Sequence, residues 1–261
     1  MKKLIPLLLF FVALPSWAQR QFDVEVIIFK RAVDAEQTTE SWPNELPKID
    51  MSKAGSLNDE SYVSSQGAQL LPASQYQLNP QEQQLDAHAG FQVLFHKAWR
   101  QGDGGRYASP IFHIRAGRDF SEQFTADGSP RENQGDEVID GVTEQSVNGP
   151  VYELDGKFQV YVEHYLYADL QLDLNEPSVR NVTLEEKELD LSPEDASTGQ
   201  AQDDTVQVGL MEDVSPIVKE QRFLKAYRME QKRRMRSGET HYLDHPLLGV
   251  IIQVRKVAEQ E

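Results

Sequence analysis

The chain contains no cysteine. That excludes a disulfide framework, a thiolate zinc site, an iron–sulfur cluster and a cysteine nucleophile, and it argues against the thiol-linked acyl anchor of a bacterial lipoprotein. Basic residues are also scarce. Lys and Arg number 26 against 42 Asp and Glu, which gives a formal net charge of -16 and a pI near 4.8. A general nucleic-acid binder needs a surplus of cations on its binding face, so no nucleic-acid partner is expected. The sequence has no Gly-x-Ser-x-Gly elbow, no phosphate-binding loop, no Gly-x-Gly-x-x-Gly and no His-Glu-x-x-His, so the common nucleotide, hydrolase and zincin signatures are missing. No metal and no cofactor are expected. Apolar residues at 39% and aromatics at 9% suffice for one packed domain with solvated insertions.

Long apolar runs are confined to the start. Residues 1–18, MKKLIPLLLFFVALPSWA, place two lysines before an apolar run from Leu4 to Leu14, followed by Pro15, Ser16, Trp17 and Ala18. This is the pattern of a secretory signal peptide, with cleavage expected after Ala18. The run is well short of the ~20 residues that span a bilayer, so no membrane insertion is expected after cleavage. Residues 19–261 are expected to form a single β-rich domain outside the cytoplasm.

The negative charge is local. Residues 119–155 hold ten acidic residues and one basic, Arg131; residues 176–213 hold eleven acidic and two basic, Arg180 and Lys187. Both segments are rich in Gly, Ser, Pro, Asn and Gln and poor in aromatics. Such sequences bury too little apolar area to offset backbone ordering, so both are expected as long solvated acidic loops. A third weak stretch, Asp34 to about Ser74, is broken by Pro43, Pro47, Gly55, Gly67 and Pro72, although Trp42, Leu70, Leu71 and Tyr76 are expected to pack.

The remainder reads as strands. In FDVEVIIFKR, Phe22 to Arg31, the residues Phe22, Val24, Val26 and Ile28 share one face while Ile27 and Phe29 make the other apolar, which describes a central strand. Pro80 to His88 suits a short helix with Pro near its start. Phe91 to Trp99 reads as a strand with Phe91, Val93, Phe95, Lys97 and Trp99 in phase, and Ile111 to Arg115 as a shorter one. Lys157 to Leu174 alternates strictly and predicts one or two antiparallel strands, with Asp155-Gly156 expected as a tight turn that folds Val151 to Leu154 back. Ile217 to Arg236 suits helix or strand; a strand ending at the Ser237-Gly238 turn and pairing antiparallel with the strand that follows is favoured, because partners joined by a short loop form readily. Leu247 to Val257 is a strand. The sum is an α+β, β-rich fold: an antiparallel sheet with one or two short helices and long acidic loops.

Two adjoining segments could carry function. Residues 219–236 hold eight basic residues against Glu220 and Glu230. Arginine forks match carboxylates two oxygens at a time, so Arg233, Arg234 and Arg236 suit an anionic ligand; equally, they could pair internally or protect an edge strand. His241, Asp244 and His245 could serve as an acid–base or metal group of a hydrolase. The alternative is a hydrogen-bonded turn at Asp244 with a histidine packed beside it. His96, Trp99 and Arg100 could line a groove, or Trp99 could belong to the core.

Three segments, FDVEVIIFKR, VLFHKAWRQ and RRMRSGETHYLDHPLLGVIIQV, together resemble the CsiV family of periplasmic peptidoglycan-binding proteins. The block from Arg233 to Val254 is the most specific. The resemblance implies a non-catalytic protein that binds the cell-wall polymer. It also implies a partner, the outer-membrane lipoprotein activator of a class A penicillin-binding protein. Peptidoglycan stems carry carboxylates, so Arg233, Arg234, Arg236, His241 and Tyr242 are the expected ligand-binding residues, with Trp99 and Arg100 as secondary candidates. A protein-binding adaptor without wall affinity, whose acidic loops dock a basic partner, remains the alternative alongside the hydrolase.

Overall fold

The computed structural model describes residues 20–131, 149–184 and 217–258. Strand β1, Gln21–Arg31, lies at the middle of its sheet with both faces buried, as its two-sided apolar pattern requires. Phe22, Val24, Val26 and Ile28 enter the main core, while Ile27 and Phe29 meet Leu78 and Leu85 on the opposite face. A short helix, Asn79–Asp86, supplies Leu85 and has Pro80 in its first turn, where the missing N–H costs nothing. Among the described residues it is the second of two α-helices; the first is Glu60–Ser65, α1, and the Asn79–Asp86 helix is α2. Helix α1 lies in the stretch broken by prolines and glycines. Asp59 caps it by accepting from the backbone amides of Ser61 and Tyr62, and that Asp-Glu-Ser start is a signal the sequence contained.

Two five-stranded sheets share the core. The first runs β3 (Gln69–Leu70), β4 (Phe91–Gly102), β1, β10 (Leu248–Lys256), β9 (Thr240–Asp244); the second runs β2 (Ala54–Ser56), β5 (Ile111–Asp119), β6 (Tyr152–Val162), β7 (Leu166–Leu184), β8 (Ile217–Met235). All pairings are antiparallel except β2 with β5. The β-rich character, the antiparallel pairing and the two short helices match the expectation. The split into two facing sheets goes beyond it, because alternation shows that a strand has a buried face but not which sheet it joins. Trp99 of β4 meets Phe112 and Phe158 of the second sheet at centroid distances of 4.9 and 5.9 Å.

Three local expectations are corrected. Asp155-Gly156 is no turn: both lie inside β6, paired with Asp173 and Leu172. Gly156 is required there because a Cβ would sit 2.2 Å from the Gln171 carbonyl oxygen, a close backbone approach that only glycine tolerates. The reversal falls instead at Glu163–Tyr165, between the paired residues Val162 and Leu166. Strand β4 does not keep one phase, because a bulge opposite Ile28 and Phe29 sends Phe91 and Val93 to the α2 side but Leu94, Phe95 and Trp99 to the main core. Finally, β8 does not pair with β10 across Ser237-Gly238. It pairs with β7, and the chain changes sheets at that turn, with Gly238 at φ 87°.

The acidic segments lie in part outside the described residues, at 132–148 and 185–216. Their described ends are ordered: Phe120 and Phe124 pack with Leu224, and Glu176–Leu184 continues β7.

Candidate ligand-binding face

The solvent side of the second sheet can be read off its register. Across β6, β7 and β8, Asp155 aligns with Asp173 and Arg228, Lys157 with Gln171 and Glu230, Gln159 with Asp169 and Lys232, and Tyr161 with Tyr167 and Arg234. Strands sit about 4.8 Å apart and same-face neighbours along a strand about 6.8 Å apart. The result is a rigid lattice of charged, amide and tyrosine side chains, generated by the same alternation that buries Phe158, Leu170, Leu172 and Met229 on the other side.

At the hairpin end of this lattice, cations lie on aromatic rings. The Arg234 guanidinium is 3.7 Å from the Tyr165 centroid, and the Lys232 ammonium is 5.0 and 5.6 Å from the rings of Tyr167 and Tyr161. Tyr161 and Tyr167 stack at 5.4 Å. Tyr161 is fully buried. Its hydroxyl raises the Lys232 pKa, yet no hydrogen bond of good geometry closes onto that hydroxyl. Such contacts hold long, flexible cations in place.

The basic run of β8 therefore divides. Lys225 pairs with Glu36 at 3.0 Å, Arg228 with Asp173 at 2.7 Å and Arg236 with Glu239 at 3.6 Å, so internal pairing accounts for these. Lys232 and Arg234 point to solvent from the outer face. Arg233 has the opposite phase, that of Met229 and Met235, and is exposed at the end of the sandwich. Arg236 lies past the strand end, where its backbone N–H donates to His241 Nε2 at 3.1 Å.

The remaining candidates do not join this face. Tyr242 projects from the outer side of the first sheet, stacks on Phe29 at 6.3 Å and shares Asp244 with Arg31. Trp99 has no solvent exposure and donates its Nε1 hydrogen to Gln101 Oε1 at 2.7 Å, so it is a core residue and not a groove wall. Arg100, on the opposite face of β4, is held by both carboxylate oxygens of Asp23 at 2.7 and 3.0 Å. His96 is clamped between Glu25 and Glu82, each at 3.0 Å. No common groove joins these three.

Nor do His241, Asp244 and His245 converge. Asp244 accepts from Tyr242 and Arg31, while His245 is buried against Trp42 at 5.3 Å and accepts from the Leu247 amide. Burial pushes the His245 imidazole below its ordinary value. The packed histidine beside a turn matches the structural reading, except that Asp244 accepts side chains and not backbone amides.

Sequence reasoning missed Lys232, Tyr161, Tyr165, Tyr167 and Asp169 as a group. For Tyr161, Tyr167 and Asp169 the signal was available in the strict alternation of 157–174, which puts the odd-numbered polar residues of its two strands on one face; Lys232 joins them through the β7–β8 register and Tyr165 from the reversal itself.

A β-rich domain with a broad polar sheet face, and with its buried charges committed to internal partners, has the form of a binding protein. The chain belongs to the CsiV family of peptidoglycan-binding proteins, whose family model, described as "Peptidoglycan-binding protein, CsiV", matches residues 3–257. No curated protein and no solved structure matches the chain. Among the described residues no helix is long and apolar enough to cross a membrane.

Proposed function

We propose that this chain is a non-catalytic periplasmic protein, released by cleavage after Ala18 as a single domain with two acidic insertions, that binds peptidoglycan through the hairpin end of the second sheet. In this reading it supports cell-wall synthesis, and through it cell shape, by way of the outer-membrane lipoprotein activator of a class A penicillin-binding protein. Family membership supports the wall ligand. The observation that carries the location is the pair of outward cations at the end of β8, Lys232 and Arg234, seated on tyrosine rings; Arg233, of the opposite phase, and Arg236, past the strand end beside Glu239, are exposed next to them. Arginine and lysine held in fixed positions on a sheet suit the carboxylates of peptide stems. The partnership rests on the resemblance of the C-terminal block.

Co-sedimentation with purified sacculi tests the reading. The mature chain is expected to pellet, and the Arg233→Ala, Arg234→Ala, Arg236→Ala triple variant to pellet at least about tenfold less while melting as before, since the loss of a single charge-assisted hydrogen bond, about 1.5–3 kcal/mol, already costs that factor. Undiminished pelleting of the folded variant sinks the site. Addition of the mature chain to activator and synthase is expected to raise glycan polymerisation; no change would remove the partnership.

A further inference from the structure

Beside the tyrosine end, the same face carries a groove of about 700 Å³ whose walls include Lys53, Arg106, Tyr107, Lys157, Asp169 and Glu230. Its walls are fixed from within. Gln159 is buried in its floor and donates its amide hydrogens to the carbonyls of Arg106 at 2.7 Å and Ser109 at 3.0 Å, holding that loop onto the sheet. Arg106 pairs with Asp169 at 3.2 Å, and Lys157 donates to the Asp50 carbonyl at 2.9 Å. Lys53, Lys232 and Glu230 differ: all three are exposed, and among the described residues none makes an ion pair. Lys53 and Glu230 thus stand in the groove wall without an ion-pair partner, and Lys232, resting on the Tyr167 and Tyr161 rings, stands just beyond that wall, two residues from Glu230 on β8.

Peptidoglycan offers two chemistries, a glycan that suits open aromatic rings and a peptide stem that carries carboxylates together with an amine. The rings of the hairpin end are poorly placed for sugar. Tyr161 is buried, Lys232 covers Tyr167, and Arg234 covers one side of Tyr165. Tyr107, 97% exposed on the rim, offers an open ring to the groove; the uncovered side of Tyr165 lies outside the groove lining. Lys232 and Glu230 share a face two residues apart on β8, so their side chains leave the sheet about 6.8 Å from each other. An extended peptide presents its alternate groups at the same repeat.

Resting on the wall-binding reading, we propose that this groove binds the peptide stem of peptidoglycan, with Lys53 and Lys232 receiving stem carboxylates, Glu230 receiving the stem amine, and the glycan left outside. Two substrates and two variants test it. The mature chain is incubated with intact sacculi and with glycan from which an amidase has removed the stems. Binding to stripped glycan is expected to be about tenfold weaker, the loss of one or two charge-assisted contacts. Lys232→Gln is expected to weaken binding to intact sacculi without altering binding to stripped glycan. Lys53→Ala, on the exposed segment ahead of β2, is expected to do the same and keeps the test open should Lys232→Gln lower the melting temperature. Equal binding to both polymers overturns the stem assignment while leaving wall binding intact, as does wild-type affinity in both variants. Failure to bind intact sacculi overturns the wall-binding reading itself.

Discussion

Glu25 has no solvent exposure and yet stays ionised. Burial alone would raise its pKa, but hydrogen bonds from His96, Arg255 and the amides of Gln77 and Leu78 outweigh it and hold the carboxyl at about 2. For His96, burial acts downward and the two carboxylates more than reverse it, so its pKa is raised above the ordinary 6.5. The two contributions have opposite signs in pH. The depressed Glu25 stabilises the fold above about 4.5 and loses that contribution as pH falls toward 2; the raised His96 stabilises it below 6.5 and loses it as pH rises through the folded value. Urea unfolding at several pH values is therefore expected to show this network strongest between about 4.5 and 6.5. Glu25→Gln, which leaves Arg255 without its buried carboxylate and His96 with Glu82 alone, is expected to destabilise by about 3 kcal/mol or more and to flatten that pH dependence. Trp99→Ala provides a complementary check: a cavity in the core costs about 3–5 kcal/mol, while sacculus binding per folded molecule should be unchanged. Trp99 was a candidate ligand contact because sequence alone cannot separate a tryptophan in a core from one in a groove. The phase of β4 that would have decided it is broken by the bulge at Leu94.

At the scale of elements, the legible parts were those where a pattern had only one structural solution. Strand β1 is apolar on both sides and so is central; α2 follows from its proline and Leu85; the strict alternation of 157–174 gives a half-buried hairpin. The hairpin's turn was not legible, because Glu163-His164-Tyr165 contains no Gly, Pro, Asn or Asp, and pairing of the flanking strands sets the reversal. Asp155-Gly156 misled for the converse reason: its glycine serves a close approach to β7 and not a turn. Gly117 is a similar case, at φ 78°, where the β5 backbone turns the Arg118 amide onto buried Glu153. Burial opposes ionisation of Glu153, but Arg118 and Lys30 prevail and lower its pKa. Gly156→Ala is expected to cost about 1–3 kcal/mol, read as a lowered melting temperature, whereas the same change at Gly149, with nothing within 4 Å, should be close to neutral. Of the candidate site, the arginine segment was legible as charge; which of its residues are spent on internal pairs was not, since Glu36, Asp173 and Glu239 come from three different parts of the chain.

For the molecule as a whole, a formal charge of -16 coexists with a cationic end on one sheet. The two are compatible because short-range pairing at β8 is screened from charge more than about 10 Å away at 0.1 M salt. Wall binding through exposed cations should consequently weaken as salt is raised from about 0.05 to 0.5 M. Wall binding is proposed for the outer face of the second sheet. Titrating the isotope-labelled mature chain with soluble muropeptides and mapping the amide shifts tests it most directly. Shifts concentrated on Asp169, Glu230, Lys232 and Arg234 are the predicted result. Shifts confined to the first sheet around Tyr242 and Arg100, with the second sheet silent, would contradict it.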